Sequence, residues 1–430
     1  MMIISSIFSF LTIIHNHLVP QVVAVIDLIL PVWLPIFSFF LFAYLWWYYL
    51  QLQSSTFTKL KPVLLEIKIP REISKSPAAM EIIYTAMYQT GAASYAERYL
   101  DGKIRPWFSL EMIGVSGQVR FFIWAPARFK DIIEAQIYGQ YPTVEVVAAD
   151  DYSLPIPHDP VNYPFWGTQY KLTSDDVFPI KTYVDYGLDR DPKEEYKIDP
   201  MTSVVEYLGS LKNGQTTWIQ ILIQAHSKKN WQEGYFTYAG EESDWKKAAK
   251  EKIEEIRAEA VLEIGEGEET TKAVKLTKGQ EERISSIERS VNKLAFDCMI
   301  RGIYFWDKDN FDASGITGLI GAFRQYNSNN FNGFKLGWFT DLGDTAKDIF
   351  RFLPEKWTRF FRDTYERQLL EAYKLRSFFR PPYRFFHGKP FILTTEELAT
   401  IFHFPGQVVS TPGFERIMSK KAEPPANLPI

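Results

Sequence analysis

A long apolar stretch without a basic residue lies near the start of the chain. The first 58 of the 430 residues contain no Lys or Arg, and residues 31–50 read PVWLPIFSFFLFAYLWWYYL. An α-helix needs about 20 consecutive apolar residues to cross the hydrocarbon core of a bilayer. The stretch therefore predicts a transmembrane helix at about 31–50, within a membrane anchor of residues 1–58.

The residues that close this stretch predict its orientation. Basic segments next to a membrane helix stay on the cytoplasmic side, so residues 59–430 are expected in the cytoplasm, attached to the cytoplasmic (inner) membrane. The shorter apolar run at the N-terminus leaves a single pass and a hairpin both open. A cleaved signal peptide is the alternative, but no basic region precedes the apolar run. The residues expected at the membrane interface are Trp46, Trp47, Tyr48, Tyr49, Lys59 and Lys61.

Composition limits the classes of function. The formal net charge is −4, and Cys298 is the single cysteine. A mildly acidic chain does not suit a protein that coats nucleic acid in general, although a local basic face remains open. One thiol can form neither an internal disulfide nor a multi-cysteine zinc site.

The elements predicted in residues 59–160 follow the order β-α-β-β-α-β. A strand at 62–70 precedes a helix whose first turn contains Pro77, which suits a helix start. Two alternating strands within residues 107–126 are separated by Ser-Gly, a hairpin signal, and a helix and a last strand follow. This order predicts a ferredoxin-like domain in an α+β protein.

The same order is predicted a second time in residues 161–345. Its first strand is expected at 177–186, and Asp199 with Pro200 predicts the start of the next helix. A charged helical insertion at 241–292 interrupts the pattern. The sequence therefore predicts two tandem ferredoxin-like domains, the second split by this insertion.

The insertion is predicted to lie at the periphery. Residues 241–269 contain 11 acidic and 5 basic side chains. Such a charge density is typical of a solvated helical hairpin or mobile arm that adds little to a packed core. Deletion of residues 241–292 is therefore expected to leave a cooperatively folded protein.

Residues 346–414 are predicted as a basic aromatic helical segment and C-terminal subdomain. From 351 to 389 the chain has 10 Lys or Arg, 4 acidic residues and 11 aromatic residues. Interleaved Arg and aromatic side chains can bind single-stranded nucleic acid. A helix that packs its aromatic face onto a domain gives the same pattern, and a membrane surface or partner protein also remains open. The residues expected at a nucleic-acid or partner surface are Arg359, Arg362, Arg376, Arg380, Arg384 and Lys389.

The sequence contains no recognisable catalytic or cofactor motif. Neither Gly-Lys pair lies in the G-x-x-x-x-G-K-[ST] pattern, and the six histidines include no i,i+4 pair. The Asp pairs at 150–151 and 175–176 lie at predicted strand or turn edges, where solvated acids are common. We therefore predict no catalytic residue, no metal ligand and no cofactor, and a protein that is not an enzyme.

Five stretches carry a resemblance to a known group of proteins. The chain resembles the membrane-proximal N-terminal region, a domain of unknown function, of bacterial TraG/TraD- or HerA-like type IV secretion and conjugation ATPases. The ATPase domain and its Walker A loop are missing here, so the resemblance transfers context and no site residues. The stretches are LLEIKIPRE, SPAAMEIIYTAMY, VRFFIWAPARFKDIIEAQIYGQYPTVEV, ILTTEELATIFHFP and ERIMSKKAEPPANLPI.

This resemblance implies a function in DNA translocation. The expectation is a membrane-anchored, non-enzymatic accessory or scaffold subunit of a type IV secretion or conjugation-like system, with a separate ATPase, other secretion-system subunits and single-stranded DNA as partners. The proline-rich linker at 415–430 is expected to dock the ATPase or to be the remnant of a join. The alternative is a membrane-tethered protein- or peptide-binding module unrelated to DNA transport.

Overall fold

The computed structural model divides into two compact units, Met1–Lys59 with Ala93–Ile104 and Leu60–Ala92 with Arg105–Ile430. The predicted linker at 415–430 lies outside the described residues. The structure describes residues 12, 14–70, 75–90, 96–97, 100–189, 199–226, 245–264, 271–274, 276–328, 330–340, 355–380 and 383–406.

The first unit consists mainly of helix α1, Val19–Leu60, which continues from a π-helical turn at Ile14–Leu18. Within the part of the chain that the structure describes, Trp33–Leu52 is the one segment long and apolar enough to cross a membrane. A signal sequence near an N-terminus would satisfy the same criterion. An N-terminal apolar helix is thus confirmed, and its membrane insertion stays a prediction.

Within the described residues, the second unit contains the strands and, apart from α1, the helices named here. The strands are β1 Pro62–Lys68, β2 Phe108–Val115, β3 Gln118–Pro126, β4 Glu145–Ala149, β5 Phe165–Leu172, β6 Gln215–Ala225, β7 Val261–Ile264, β8 Thr271–Val274, β9 Ala295–Trp306, β10 Phe334–Phe339 and β11 Phe391–Thr394. The helices are α2 Ala78–Met87, α3 Lys130–Gln140, α4 Met201–Gly209, α5 Trp245–Glu259, α6 Lys278–Val291, α7 Ala313–Gly321, α8 Glu355–Lys374 and α9 Thr395–Ile401.

One antiparallel sheet organises this unit. Its strand order is β10-β5-β9-β6-β2-β3-β1-β4, and β11 pairs with the first half of β9. Strands β7 and β8 form a separate two-stranded ribbon. The pairing of β2 with β6 joins the strands of residues 62–149 to those of residues 165–339. The predicted α+β fold class is confirmed.

The predicted strand at 177–186 is wrong, because the first strand of the second half is β5. Residues 177–186 form turns joined by irregular backbone. The amide of Phe178 donates to the carbonyl of Asp175 at 3.1 Å, and that of Asp185 donates to the carbonyl of Thr182 at 3.0 Å. Ile180 and Tyr183 are buried in these turns. Their apolar spacing therefore reflects burial and not strand geometry.

The two faces of the sheet are covered differently. Helices α2, α3, α4, α7 and α9 contribute their apolar sides to the main core on one face, against residues such as Leu110, Ile221 and Ile300. Helix α8 covers the other face, where the rings of Trp218 and Tyr373 lie 5.1 Å apart. That second face holds the buried charges described below.

The charged insertion is not a solvated arm. Helices α5 and α6 bury one apolar side each, and these sides form a small core with Val177, Ala295 and Ile392 of the main body. Arg289 of α6 also bonds Asp185 at 2.7 Å. The prediction of a peripheral arm is wrong for these two helices, because charge counts do not reveal that the few apolar residues share one side.

Replacing Ile287 with alanine is expected to lower the free energy of unfolding by about 3 kcal/mol, the usual cost of truncating a buried aliphatic side chain. Ile287 is fully buried in this small core. Urea unfolding of the purified protein would measure the change. Ser285→Ala on the exposed side of the same helix is the control, with an expected effect below about 0.5 kcal/mol. Equal effects of the two substitutions would support the prediction that the insertion is a peripheral arm.

Candidate functional site

A row of polar side chains crosses the centre of the sheet on the face covered by α8. Glu111 of β2 pairs with Gln220 of β6, Gln220 pairs with Arg301 of β9, and Arg301 pairs with Gln169 of β5. Residues directly opposite each other in an antiparallel pair point to the same face. All four are buried, so this row is a buried polar strip on that face of the sheet.

Arg376, two residues after the end of α8, lies above this row and forms two ion pairs. Its Nε and Nη2 donate to the two carboxylate oxygens of Glu111 at 3.0 and 3.1 Å. Its Nη2 also donates to Asp151 at 3.1 Å, and its Nη1 donates to the other oxygen of Asp151. We call Glu111, Asp151, Gln220, Arg301 and Arg376 the polar cluster.

The backbone conformation at the C-terminal end of α8 places Arg376 over the polar strip. The amide of Arg376 donates to the carbonyl of Tyr373 and that of Ser377 to Ala372, both at 2.9 Å. This is the Schellman arrangement, which usually has glycine at the left-handed position. Arg376 occupies that position with φ 46°. Its side-chain contacts therefore offset a conformational cost of about 1 kcal/mol.

The carboxylate of Glu111 accepts hydrogen bonds from several donors besides Arg376. The Ser109 hydroxyl donates at 2.6 Å, the Tyr152 hydroxyl at 2.7 Å and the Gln220 amide nitrogen at 3.0 Å. A buried carboxylate needs such partners, because it has lost its hydration. Glu111 has no oxygen left to bind or attack a substrate.

Arg376 and Asp151 keep their charges at neutral pH. Burial alone would lower the pKa of Arg376, but the neighbouring Glu111 raises it well above its usual range. Burial would likewise raise the pKa of Asp151, and Arg376 outweighs this effect so that the pKa lies below its ordinary value. These ion pairs therefore hold the segment that follows α8 against the sheet.

Two tyrosines and a tryptophan form the apolar wall of the polar cluster. The hydroxyls of Tyr152 and Tyr373 lie 2.8 Å apart, and both rings pack against Trp218. Burial raises the pKa of each phenol well above its ordinary value. Neither phenol is therefore suited to act as a base near neutral pH.

Arg301 differs from the other charged members of the cluster. Its Nη2 donates to the carbonyl of Ser377 at 2.9 Å. Among the described residues its Nε and Nη1 have no hydrogen-bonding partner, and the side chain is 0% exposed. Burial lowers the pKa of Arg301 to about 9, so the guanidinium remains charged at neutral pH.

A family comparison matches residues 58–416 to a domain of unknown function, DUF8128. The chain belongs to the DUF8128 family. No curated protein matches the sequence. The DUF8128 range begins after Trp33–Leu52 and contains the whole sheet and the polar cluster.

The DUF8128 structure corrects part of the predicted nucleic-acid or partner surface. Arg376 and Arg380 are buried, with 1% and 8% exposure, so the prediction that they line a surface is wrong. Arg376 is held by ion pairs, and the guanidinium of Arg380 lies 5.6 Å from the ring of Trp107. Burial lowers the pKa of Arg380 to about 10. Both arginines stabilise the segment after α8 against the sheet.

The other residues of the predicted surface lie in different surroundings. Arg362 is exposed and lies 3.7 Å from Glu366, and Lys389 is exposed. Arg384 is half-buried, 4.9 Å from the Phe385 ring. The side chain of Arg359 lies outside what the structure describes. Arg362 and Lys389 thus remain open to a partner.

Of the residues predicted at the membrane interface, the four aromatic ones lie within α1, Lys59 lies near its end and Lys61 follows it. Trp47 and Tyr48 are exposed, and the rings of Trp46 and Tyr49 lie 6.0 Å apart. The side chain of Lys59 lies outside the described set. Lys61 follows the helix, is exposed and has φ 42°. Their membrane contact stays a prediction.

Sequence reasoning missed a second buried polar region, at residues 391–404. Glu397 caps its own helix α9 by accepting from Thr394, and it also accepts from the amide of Ile180 at 3.0 Å. His403 lies 3.0 Å from Asp199, and the hydroxyl of Tyr84 donates to the carbonyl of Phe402 at 2.6 Å. This segment therefore fastens both halves of the sheet together on its main-core face.

The stability of the DUF8128 region is expected to fall as pH rises through 7. Burial raises the pKa of Glu397 from 4.5 to about 7. The folded state therefore binds this proton more tightly than the unfolded state does, and about 3 kcal/mol of stability present below pH 4.5 is lost as pH rises through 7. Burial would lower the pKa of His403, but Asp199 raises it, so this residue acts in the same direction.

Glu397→Gln isolates this contribution, because other groups such as His158 and His387, whose pKa burial lowers, act in the opposite direction in both proteins. Urea unfolding between pH 4.5 and 8.5 should show a smaller loss of stability in the variant. Equal pH dependence in both proteins would mean that the carboxyl of Glu397 is already ionised at low pH.

Metal binding has no support in the described residues, which contain no group of three or more His, Cys, Asp or Glu placed to hold an ion.

One signal in the sequence could have revealed the polar cluster. Glu111 is a single charged residue in the apolar strand FSLEMIGV. An acid in a strand covered on both faces needs a buried cation, although the identity of that cation depends on long-range packing.

Proposed function

We propose that this DUF8128 chain is a membrane-anchored, non-enzymatic scaffold subunit of a type IV secretion or conjugation-like DNA-translocation system that docks a separate ATPase. The apolar helix at its N-terminus would hold it in the cytoplasmic membrane, with the bulk of the chain on the cytoplasmic side.

The exposed apolar surface of α1 carries the proposal of membrane attachment. Phe37, Phe39 and Phe40 are 64%, 66% and 66% exposed. Exposing apolar area to water costs about 25 cal/mol per Å², so a helix with such a surface is more stable in lipid. The exposed rings of Trp47 and Tyr48, near the end of the apolar segment Trp33–Leu52, suit the headgroup layer.

The rigid architecture that we propose is a pair of tandem ferredoxin-like domains. Strands β1 to β4 have the spatial order β2-β3-β1-β4, and β6, β9, β5 and β10 have the order β6-β9-β5-β10. Each is the order expected for a βαββαβ unit. The two units share a continuous sheet through β2 and β6, which suits a stiff scaffold.

The charged groups of the polar cluster form ion pairs within the protein, and this favours a scaffold over an enzyme. A catalytic acid or base has to reach its substrate, whereas Arg376, Glu111 and Asp151 are bonded to one another. Their arrangement stabilises the contact of α8 with the sheet. A preformed, rigid surface of this kind loses little conformational freedom on binding a partner.

The DNA-translocation context rests on the resemblance of the five stretches to the membrane-proximal region of TraG/TraD- or HerA-like proteins. Those proteins have a motor after this region, and in our proposal a separate ATPase supplies the motor. Single-stranded DNA is a further candidate partner for Arg362 and Lys389, which are exposed.

The second candidate function is a membrane-tethered module that binds a peptide or protein unrelated to DNA transport. The observation that favours it is the edge strand β4, which pairs with β1 alone among the strands of the described residues. An open edge can accept an added strand from a partner. Motor and pilus-type genes beside this gene would favour the first function.

Two measurements test the scaffold proposal. Protease added to intact, right-side-out cells should leave the region after residue 58 uncut, and digestion would reject the cytoplasmic orientation. The purified protein, reconstituted in lipid with no partner, should not hydrolyse ATP. Steady hydrolysis that copurifies with the chain would reject the non-enzymatic function.

A further inference from the structure

Arg301 forms no ion pair within 4 Å among the described residues, although it lies fully buried in the sheet. Both carboxylates of the polar cluster, those of Glu111 and Asp151, are bonded by Arg376. Arg301 bonds only the neutral carbonyl of Ser377, through one of its three nitrogens. A buried charge without a partner of opposite charge is strongly unfavourable.

The two residues that flank Arg301 also have buried polar atoms without partners in the described part of the chain. These atoms are Nε2 of Gln169 and Oε1 of Gln220. The orientation of the Gln220 amide is fixed, because its Nε2 donates to Glu111 at 3.0 Å and to the carbonyl of Tyr373 at 3.2 Å. Its Oε1 therefore acts as an acceptor.

The unpaired atoms on these three neighbouring residues are chemically complementary to one type of ligand. Nε and Nη1 of Arg301 and Nε2 of Gln169 supply donors, and Oε1 of Gln220 supplies one acceptor. Donors with a positive charge suit an oxyanion. The acceptor requires a proton on that oxyanion, which phosphate carries at neutral pH and sulfate does not.

We propose that Arg301, Gln169 and Gln220 bind one inorganic phosphate ion between the centre of the sheet and the segment that follows α8. The three side chains are 0%, 3% and 0% exposed. A phosphate attached to a lipid or a nucleotide would need an opening for the rest of that molecule, so the ligand is the free ion. Phosphate in this place neutralises Arg301 and strengthens the contact between the sheet and Ser377.

Thermal unfolding of the full-length protein in detergent tests this site. The buffer is kept at pH 7 and constant ionic strength with chloride while phosphate or sulfate is titrated. At a hundredfold excess over Kd, phosphate should raise Tm by about 5 °C. Sulfate should raise it much less. Equilibrium dialysis with labelled phosphate should give about one ion per chain, since the donors form one set.

Three variants separate the site from general ionic effects. Arg301→Met should abolish the phosphate-dependent rise, and Gln169→Leu, which keeps the guanidinium, should raise the phosphate midpoint several-fold. Arg120→Met, on an exposed strand position, should leave the response unchanged. If Arg301→Met does not fold, the phosphate midpoint of Gln169→Leu tests the site.

Four results would overturn the proposal. They are a Tm that does not depend on phosphate, an equal response to sulfate, an Arg301→Met variant that responds like the unmodified protein, and a Gln169→Leu variant with an unchanged midpoint. An Arg301→Met protein that is more stable than the unmodified one in saturating phosphate would also count against it, because removal of an unpaired charge then explains the result.

Discussion

Replacing Arg376 with methionine is expected to lower the free energy of unfolding by about 3–5 kcal/mol, because it leaves two carboxylates without their cation. Glu111 is 0% exposed and cannot regain water in the folded state. Glu111→Gln should also be destabilising but less so, since the guanidinium loses one of its two carboxylates and keeps the ion pair with Asp151. Urea unfolding followed by tryptophan fluorescence would measure both changes.

A double variant separates the attraction within the ion pair from the cost of removing its two charges from water. Arg376→Met combined with Glu111→Leu removes both charges, and its effect should be smaller than the sum of the two single changes. Arg376→Gly serves a different purpose, because glycine removes the cost of φ 46° at this position. Its destabilisation should be smaller than that of methionine by about 1 kcal/mol.

The exposed ion pair of Lys212 with Asp312 provides the control for these variants. Lys212 is 73% exposed, so Lys212→Met should cost less than about 1 kcal/mol. If Arg376→Met were as mild as Lys212→Met, the polar cluster would not hold the segment after α8 against the sheet.

Two acidic substitutions in the middle of α1 are expected to remove the protein from the membrane. Phe40→Asp with Leu41→Asp should make insertion less favourable by about 7 kcal/mol, since each aspartate costs about 3 kcal/mol and each lost apolar side chain about 0.5 kcal/mol. After carbonate extraction the unmodified protein should sediment with membranes. The double variant should appear in the soluble fraction or be degraded.

The conservative pair Phe40→Leu with Leu41→Phe controls for changes in shape and should stay in the membrane pellet. Intact mass of the mature protein gives a second readout, because an uncleaved anchor retains Trp33–Leu52. Cleavage after this helix would show that it is a signal sequence, and the anchored scaffold would have to be abandoned.

Local signals were enough to predict many elements of this fold. Ser116 and Gly117 take positive φ values of 47° and 83° in the turn between β2 and β3, as the Ser-Gly pair indicated. Pro77 and Pro200 precede α2 and α4. Each of these features depends on residues close in sequence, so it is visible without knowledge of the packing.

Strand β5 could not be found in this way. Gly167 lies within it, and glycine ordinarily weakens a strand. A Cβ atom on Gly167 would lie 2.3 Å from Cδ2 of Leu369, so the glycine is needed where α8 packs against the sheet. That reason appears only when residues 202 positions apart are brought together.

The polar cluster and the buried segment at 391–404 were missed for a related reason. Arg376 lies in a sequence rich in basic and aromatic residues, which looks like a surface. Its carboxylate partners are 265 and 225 positions away. Composition gives the number of charges, whereas their burial depends on tertiary contacts.

Recovery of a partner ATPase from membranes is the most direct test of the proposed scaffold. Full-length tagged protein, extracted in mild detergent, should bring down a separate ATPase with a Walker A loop, and removal of residues 415–430 should weaken this association if the tail is the docking segment. Equal recovery without the tail would place the contact on the folded domains. If no ATPase is recovered with a protein that is folded and in the membrane, the DNA-translocation scaffold is contradicted and the general binding module replaces it.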